Sequence, residues 1–401
     1  MLNNLRKGVV VVATIALLVL GLTLSATAQG PDQAATAPVG QVTVSGPVTG
    51  VSFSPAAQAA AVAYWSKDRI VAAAPLVVAS QTTGDSAPVL DAPATLGPSN
   101  PGSTAPVATA PGAPAADADR QARRAYPREW AAIDAAVRDE IRNAPAWVES
   151  PTAPEGTSQT FTSYIINQQA AVQKNFPHRV AGKLTFNTPQ GASSCSASVI
   201  SANNIIVTAA HCIYDTPTRN QFYTNFVFTP AFRNGNAPYG TFPAQNCWVL
   251  NSWIALSGGY NLNTWADDDV AVCKMANNSA GKSLSNLTGW FGRAWDQGYV
   301  QHFHTLGYPV NSTANTALPN AGKYLRSCQA ESFMQTTNVV GLGCDLGPGH
   351  SGGAFIVGYK LNEVSGQVRS VYSGFFVGQN NAFGARFTSS NIVPLCNTAG
   401  C

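Results

Sequence analysis

Charge is scarce in this chain. Only 11% of its 401 residues are Asp, Glu, Lys or Arg, and the formal net charge is +3. A balance that slight leaves no electrostatic footprint for nucleic acid or an anionic membrane, so neither is expected as a partner. Cysteine is absent from the whole amino-terminal part. All eight cysteines (Cys195, Cys212, Cys247, Cys273, Cys328, Cys344, Cys396 and Cys401) come later, with no C-x-x-C pair and no Cys/His cluster of zinc-site spacing. No metal and no organic cofactor is expected. Past Leu24 no long apolar run remains that could cross a membrane. There is also no internal repeat and no alternation of β-type with α-type segments, which argues against a parallel sheet.

What is there begins at the amino terminus. Arg6 and Lys7 precede an almost wholly apolar stretch, Gly8 to Leu24, and Ala26-Thr27-Ala28 offers a small-x-small cleavage site. This is the layout of a secretory signal peptide over residues 1–28, with the mature chain starting near Gln29 and export as its destination. An uncleaved membrane anchor is the alternative, because the apolar run is nearly long enough to span. An even count of cysteines in an exported chain points to disulfides.

Gln29 to about Ala116 is rich in Ala, Pro, Thr, Val and Gly. "APATLGPSNPGSTAPVATAPGAPAAD" has no periodicity and reads as a flexible or extended linker. Within it, Gln41 to Phe53 has a weak hairpin pattern. "YPREWAAIDAAVRDEIRNAPAWVE" differs: Pro127 suits the first helical position, Trp130, Ile133, Val137 and Ile141 share a helical face, and Pro145 stops it. One amphipathic helix is therefore expected near 127–143. Residues 29–160 are expected to form a pro-region, and periodicity does not decide whether its helix stays packed or is removed. From Phe161 to Cys401, short β-prone runs such as "CSASVI", "NIIVTAAHC", "CWVLNSWIAL" and "VRSVYSGFFVG" alternate with Gly/Asn/Pro/Ser turns. That texture predicts one all-β sandwich or barrel domain over residues 161–401.

Three stretches of this domain carry candidate chemistry. A serine hydroxyl is a weak nucleophile unless a histidine can take its proton, and that histidine needs an acceptor on its other nitrogen. The developing oxyanion needs backbone N–H donors, which glycine-rich turns can present. "TAAHC" supplies His211, "ADDDVAV" supplies an aspartate, and "CDLGPGHSGGAF" supplies Ser351 between Gly349-His350 and Gly352-Gly353. Period-2 alternation puts Asp267 and Asp269 on one face and Asp268 opposite. Histidine, aspartate and serine come in one of the known chain orders for a triad.

The ordered set "TAAHC", "D-V-A-V" and "G-x-SGG" resembles the chymotrypsin-like (trypsin-fold) serine protease family. "LGYP" at Leu306 to Pro309 and "CD-x4-HSGG" make it similar to secreted bacterial members of the glutamyl-endopeptidase kind. The resemblance covers about Phe176 to Phe387. It implies two packed six-stranded antiparallel β-barrels with the active site between them. It also implies His211 as base, Asp269 as the acid directly before an apolar strand with Asp268 next in line, Ser351 as nucleophile, and the Gly349 and Ser351 amides as oxyanion hole. In trypsin-like zymogens an acid precedes the serine and pairs with a new amino terminus; His350 stands there instead, which puts that activation switch in doubt. Asp345, six residues before Ser351, matches by counting the pocket acid of trypsin-like enzymes, although Cys344 is shifted, and a structural hydrogen-bonding role is the competing reading. A histidine facing an acidic substrate side chain is the glutamyl-endopeptidase solution, which brings in His304, or His302. Ser373 and Gly374 in "VYSGFF" are the expected pocket wall. The family places a Cys195–Cys212 bridge; Cys247–Cys273 and Cys328–Cys344 are the other expected pairs, leaving Cys396–Cys401.

The expectation is a secreted serine endopeptidase acting on polypeptides through an acyl-enzyme, made as a precursor and working as a monomer. A protease-fold protein that only binds, or a narrow processing protease or esterase on the same fold, are the alternatives.

Overall fold

The computed structural model describes residues 40–76, 123–142, 161–166, 176–215, 220–256, 266–359 and 366–401. The expected signal peptide and most of the expected linker lie outside the described residues. No helix among the described residues is long and apolar enough to cross a membrane.

Four strands come first: β1 (Gln41–Ser45), β2 (Val48–Ser52), β3 (Ala74–Pro75) and β4 (Phe161–Ile165). A barrel comes next, made of β5 (Ala181–Thr188), β6 (Gly191–Val199), β7 (Ile205–Thr208), β10 (Thr224–Pro230), β11 (Phe242–Leu250) and β12 (Ala271–Met275), with a small hairpin of β8 (Tyr214–Asp215) and β9 (Gln221–Phe222) between. Its order is β11-β10-β5-β6-β7-β12, and β12 returns to β11, which closes it. After β13 (Gly292–Arg293), a second barrel uses β14 (His302–Gly307), β15 (Arg326–Thr336), β16 (Val339–Gly343), β17 (Ala354–Val357), β18 (Gln367–Phe375) and β19 (Asn381–Arg386). Its order is β18-β17-β14-β15-β16-β19, closed by β18 on β19. These are two closed six-stranded antiparallel barrels, as the resemblance implies. Outside the closed orders, β2 pairs with β11, β3 with β6, β4 with β15 and β13 with β18, which covers strand edges that closure leaves open.

The amino-terminal part departs from the sequence reading. The Gln41–Phe53 pattern does form the β1–β2 hairpin, but the segment after it is no flexible linker. Ser54 caps a helix over Pro55–Tyr64, its hydroxyl accepting from the Ala57 amide, and Ser66 caps a second over Lys67–Ala72. Phe53 packs on Phe226 with ring centroids 5.9 Å apart, and buried Trp65 donates from Nε1 to the Asn225 carbonyl at 2.6 Å. A few large residues in an Ala-rich stretch thus anchor it to the first barrel, and averaged composition conceals them.

The expected helix spans Pro127–Arg142. Trp130 is buried, donates to the Pro238 carbonyl at 2.7 Å and meets Tyr239 edge-on. The side chains of Ile133, Val137 and Ile141 lie outside the described residues. A helix not anticipated from sequence, Ile392–Ala399, ends at Gly400 in the left-handed region.

Three disulfides form: Cys195–Cys212, Cys247–Cys273 and Cys396–Cys401. Cys247 and Cys273 are direct cross-strand partners on β11 and β12. The expected Cys328–Cys344 bridge is not present. Both are buried free thiols, and the Cys328 thiol donates to the Gly343 carbonyl at 3.5 Å instead.

Candidate active site

β7 ends at Thr208, and a 3-10 turn over Ala210–Cys212 carries His211 out of the first barrel. Asp269 stands two residues before β12, which pairs with β7 from Ala271 opposite Thr208. That register brings the two side chains together. His211 Nδ1 lies 2.7 Å from Asp269 Oδ2, and the His211 backbone N–H donates to Asp269 Oδ1 at 2.9 Å. Both side chains are fully buried. One carboxylate thus fixes the imidazole twice, through its ring and through its main chain, and leaves Nε2 as the nitrogen that can exchange a proton.

The other two aspartates go elsewhere. Asp267 accepts from Asn338 Nδ2 at 3.1 Å. Asp268 bonds Ser252, and burial raises its pKa above the ordinary carboxylate value.

Ser351 sits on the turn entering β17 and is 5% exposed. Its carbonyl accepts from the Ser196 amide of β6 at 2.7 Å. The next residue, Gly352, has φ +78°, and a Cβ there would stand 2.0 Å from Thr208 Oγ1 and 2.9 Å from the Ala209 nitrogen. Only glycine lets the serine turn close onto the strand end that leads to His211. The Cys195–Cys212 bridge ties β6 to the residue after His211.

Gly349, with φ +94°, is the second position that needs glycine: a Cβ would meet the Tyr308 carbonyl at 2.7 Å. The peptide planes around it are pinned from behind. The Pro348 carbonyl accepts from the Val310 amide at 2.7 Å, and the His350 carbonyl accepts from the Gly353 amide at 2.8 Å. In a trans peptide the N–H points opposite the C=O, so the Gly349 and Ser351 amides are turned the other way. Neither donates to any group among the described residues. Ser196 completes the frame: its Oγ donates to the Gly349 carbonyl at 2.9 Å and accepts from the Tyr308 amide at 2.8 Å.

His350 is fully buried behind this turn. Its Nε2 pairs with Thr305 Oγ1 at 2.8 Å, and its ring meets Tyr372 edge-on. Burial pushes its pKa down to about 3, so it is neutral at any ordinary pH.

The expected pocket residues divide. Ser373 comes after Tyr372, whose backbone exchanges hydrogen bonds with Gly352 and Gly353, so Ser373 borders the serine turn with its Oγ buried and unbonded. Gly374 lies against Phe383 beyond a register shift in the β18–β19 pair. Asp345 has one carboxylate oxygen buried without a partner, and its charge bears on buried Arg326. His304 does not face the serine turn: it stacks on Tyr359 at 4.5 Å, beside His302, and opposes Ile356 in the β14–β17 ladder. Burial together with the charges of His302 and His178 pushes it down to about 4.

Cys328, Cys344 and Asp345 bring two sulfurs and a carboxylate within 4.8 Å of one another. A thiol must ionise to hold a metal, and burial and Cys344 push the Cys328 thiol well up, so the cluster is a poor cation site as it stands.

Two antiparallel barrels with a buried His–Asp pair on one and a glycine-framed serine turn on the other define a chymotrypsin-type double barrel. The trypsin family profile matches residues 165–384, more than half of the chain, and the chain belongs to that family of serine proteases. No curated protein matches it. Among solved structures, it is similar to the protease Anisep from Arthrobacter nicotinovorans at 27% identity and TM-score 0.47, over 55% of this chain and 95% of that one. The thermostable serine protease AL20 from an extremophilic microorganism matches at 25% identity and TM-score 0.46, over 55% of this chain and 97% of the other. A Glu endopeptidase in complex with MPD matches at 18% identity and TM-score 0.46, over 62% and 99%.

Proposed function

We propose that this chain is an exported serine endopeptidase with His211, Asp269 and Ser351 as its triad. The observations that carry the reading are the doubly bonded His211–Asp269 pair and a serine turn whose Gly349 and Ser351 amides are held outward. Ser351 Oγ attacks the scissile carbonyl carbon while its proton passes to His211 Nε2. Asp269 holds Nδ1–H and stabilises the imidazolium. The Gly349 and Ser351 amides receive the oxyanion. His211 then gives its proton to the leaving amine as the C–N bond breaks, leaving an acyl-enzyme on Ser351. Water, deprotonated by His211, releases the acid and restores the serine.

Export is supported by the signal-peptide layout of residues 1–28 and by three disulfides. Activation differs from the amino-terminal ion-pair device, because neutral His350 is bonded to Thr305 where that device needs an acid. Side-chain specificity is set around Ser373 and Asp345 rather than His304.

Fluorophosphonate labelling tests the reading. The folded protein labels at Ser351, and Ser351→Ala keeps its fold, loses the label and loses peptidase activity. A folded wild-type protein that does not label, or a Ser351→Ala variant that still cleaves peptides, refutes it.

A further inference from the structure

The edge of β6 serves three partners in sequence. Backbone groups on one side of a strand recur every second residue. On this side Ser198 pairs with Val207 of β7, Ser196 donates to the Ser351 carbonyl, and Ser194 pairs with β3. The opposite side is taken by β5 along its whole length. Ser194 therefore stands about 7 Å along the same edge from the group that anchors the serine turn, two residues at about 3.4 Å each.

The occupant of the Ser194 position comes from upstream of the protease match. Ala74 and Pro75 run parallel to Ser193 and Ser194, and the Leu76 amide donates to the Ser194 carbonyl at 3.1 Å. Ser194 Oγ adds contacts of 3.3 Å to the Ala73 and Ala74 carbonyls. The segment is firmly held, because Trp65, Ile70 and Ala73 before it are all buried.

This edge lies on the histidine side of the serine. Cys195, between Ser194 and Ser196, is bridged to Cys212, the neighbour of His211. His211 is the group that protonates the leaving amine, so the leaving-group half of an extended substrate lies on that side. An extended peptide adding to an edge needs its N–H and C=O groups unpaired, and here they are already used.

Resting on the protease reading above, we propose that Ala73–Leu76 is a self-inhibitory strand: it fills the β6 edge beside Ser351 and bars peptides that extend past the scissile bond, while leaving Ser351 open to small acylating substrates. The pro-region thus acts by selective occlusion of the leaving-group side.

The test uses the intact chain, verified by mass spectrometry, with two substrates sharing one acyl half. One is an ester that ends at the reacting bond; the other is a peptide continuing three residues beyond it. The intact chain labels with fluorophosphonate and turns over the ester, with poor turnover of the extended peptide. Leu76→Pro, which removes the donor to Ser194, raises the peptide-to-ester ratio of kcat/KM by about two- to tenfold, the worth of one hydrogen bond. Ser194→Ala moves it in the same direction and carries the test if Leu76→Pro does not fold. Normal labelling with an unchanged ratio in folded variants overturns the inference alone. Absence of labelling in folded wild-type protein overturns the protease reading, and the inference with it.

Discussion

Ser196→Ala removes one oxygen atom that touches no substrate, and its consequences depend on the groups that oxygen joins. The Ser196 hydroxyl donates to the Gly349 carbonyl at 2.9 Å and accepts from the Tyr308 amide at 2.8 Å, with the residue fully buried. Without it, a buried N–H and a buried C=O lose their partners together. A neutral hydrogen bond contributes about 1 kcal/mol net, and a stranded buried donor costs about 1–3 kcal/mol. The expected loss of stability is about 2–4 kcal/mol. At roughly 2–4 °C per kcal/mol for a domain of this size, the melting temperature falls by roughly 5–15 °C. The Gly349–His350 peptide also loses its rear anchor, so the neighbouring amide of Gly349 is held less firmly toward the oxyanion. The effect on kcat should be about tenfold, smaller than the roughly 10²–10³-fold loss when an oxyanion donor is removed outright. KM for a short ester should stay within about twofold, because binding contacts are untouched. Calorimetry and steady-state ester kinetics on the same preparation read all three. A melting temperature within about 1 °C of wild type, or an effect on KM with kcat unchanged, refutes Ser196 as the residue that positions the turn.

Asp269→Asn leaves the shape but offers a single acceptor oxygen to two donors, so His211 is held in the wrong tautomer; kcat should fall about 10³–10⁴-fold with the fold intact by circular dichroism. Acid stability should track His350. Its folded pKa of about 3 lies below the ordinary 6.5, so the unfolded chain binds the extra proton. Stability is full above about pH 6.5 and declines toward pH 3, by about 3 kcal/mol between pH 6.5 and 4 from this residue. Urea midpoints across that range should show this loss in wild type and a flatter acid limb in His350→Gln; parallel limbs would contradict it. Trp65→Ala should cost the intact chain roughly 3–5 kcal/mol in chemical denaturation, because Trp65 is buried and bonded to Asn225. A loss below about 1 kcal/mol would make residues 40–76 an accessory to the barrel rather than part of its core.

The residues of the proposed triad stand out in the sequence because their signals are local. His211, Asp269 and Ser351 each sit in a short stretch whose neighbours state the need: small residues before the histidine, an apolar strand after the aspartate, glycines around the serine. The supports of these residues were not legible, because they act across the chain. Ser196 meets Gly349 and Tyr308 at separations of 153 and 112 residues, and nothing beside it in "CSASVI" hints at either. His304 shows the same limit from the other side. Its place two residues before "LGYP" suited a pocket, but the β14–β17 register sets it opposite Ile356, at the Tyr359 end of the ladder. The Cys328–Cys344 expectation foundered on a choice that spacing does not record, since the Cys328 thiol is turned to a backbone carbonyl. Residues 54–76 were misjudged because Trp65 and Ile70 are few among alanines, although both are buried and Trp65 bonds to the first barrel at Asn225.

One sequence feature did hold a non-local fact in plain view. Ser194, Ser196 and Ser198 recur with the strand period in β6, where β-branched residues would be ordinary. Each lies at a point where another segment closes onto the same edge: β3, the serine turn and β7 in order. Small side chains let those segments approach, and two of the hydroxyls bond to them. The three sites are locked to one register. A single-residue slip of β6 would carry the Ser194, Ser196 and Ser198 side chains to the opposite face of the sheet, and the hydroxyl bonds to Ala73 and Gly349 would be lost together. Barrel closure, the seating of the Ser351 turn and the contact with the amino-terminal segment are therefore coupled through a strand that carries none of the three proposed triad side chains.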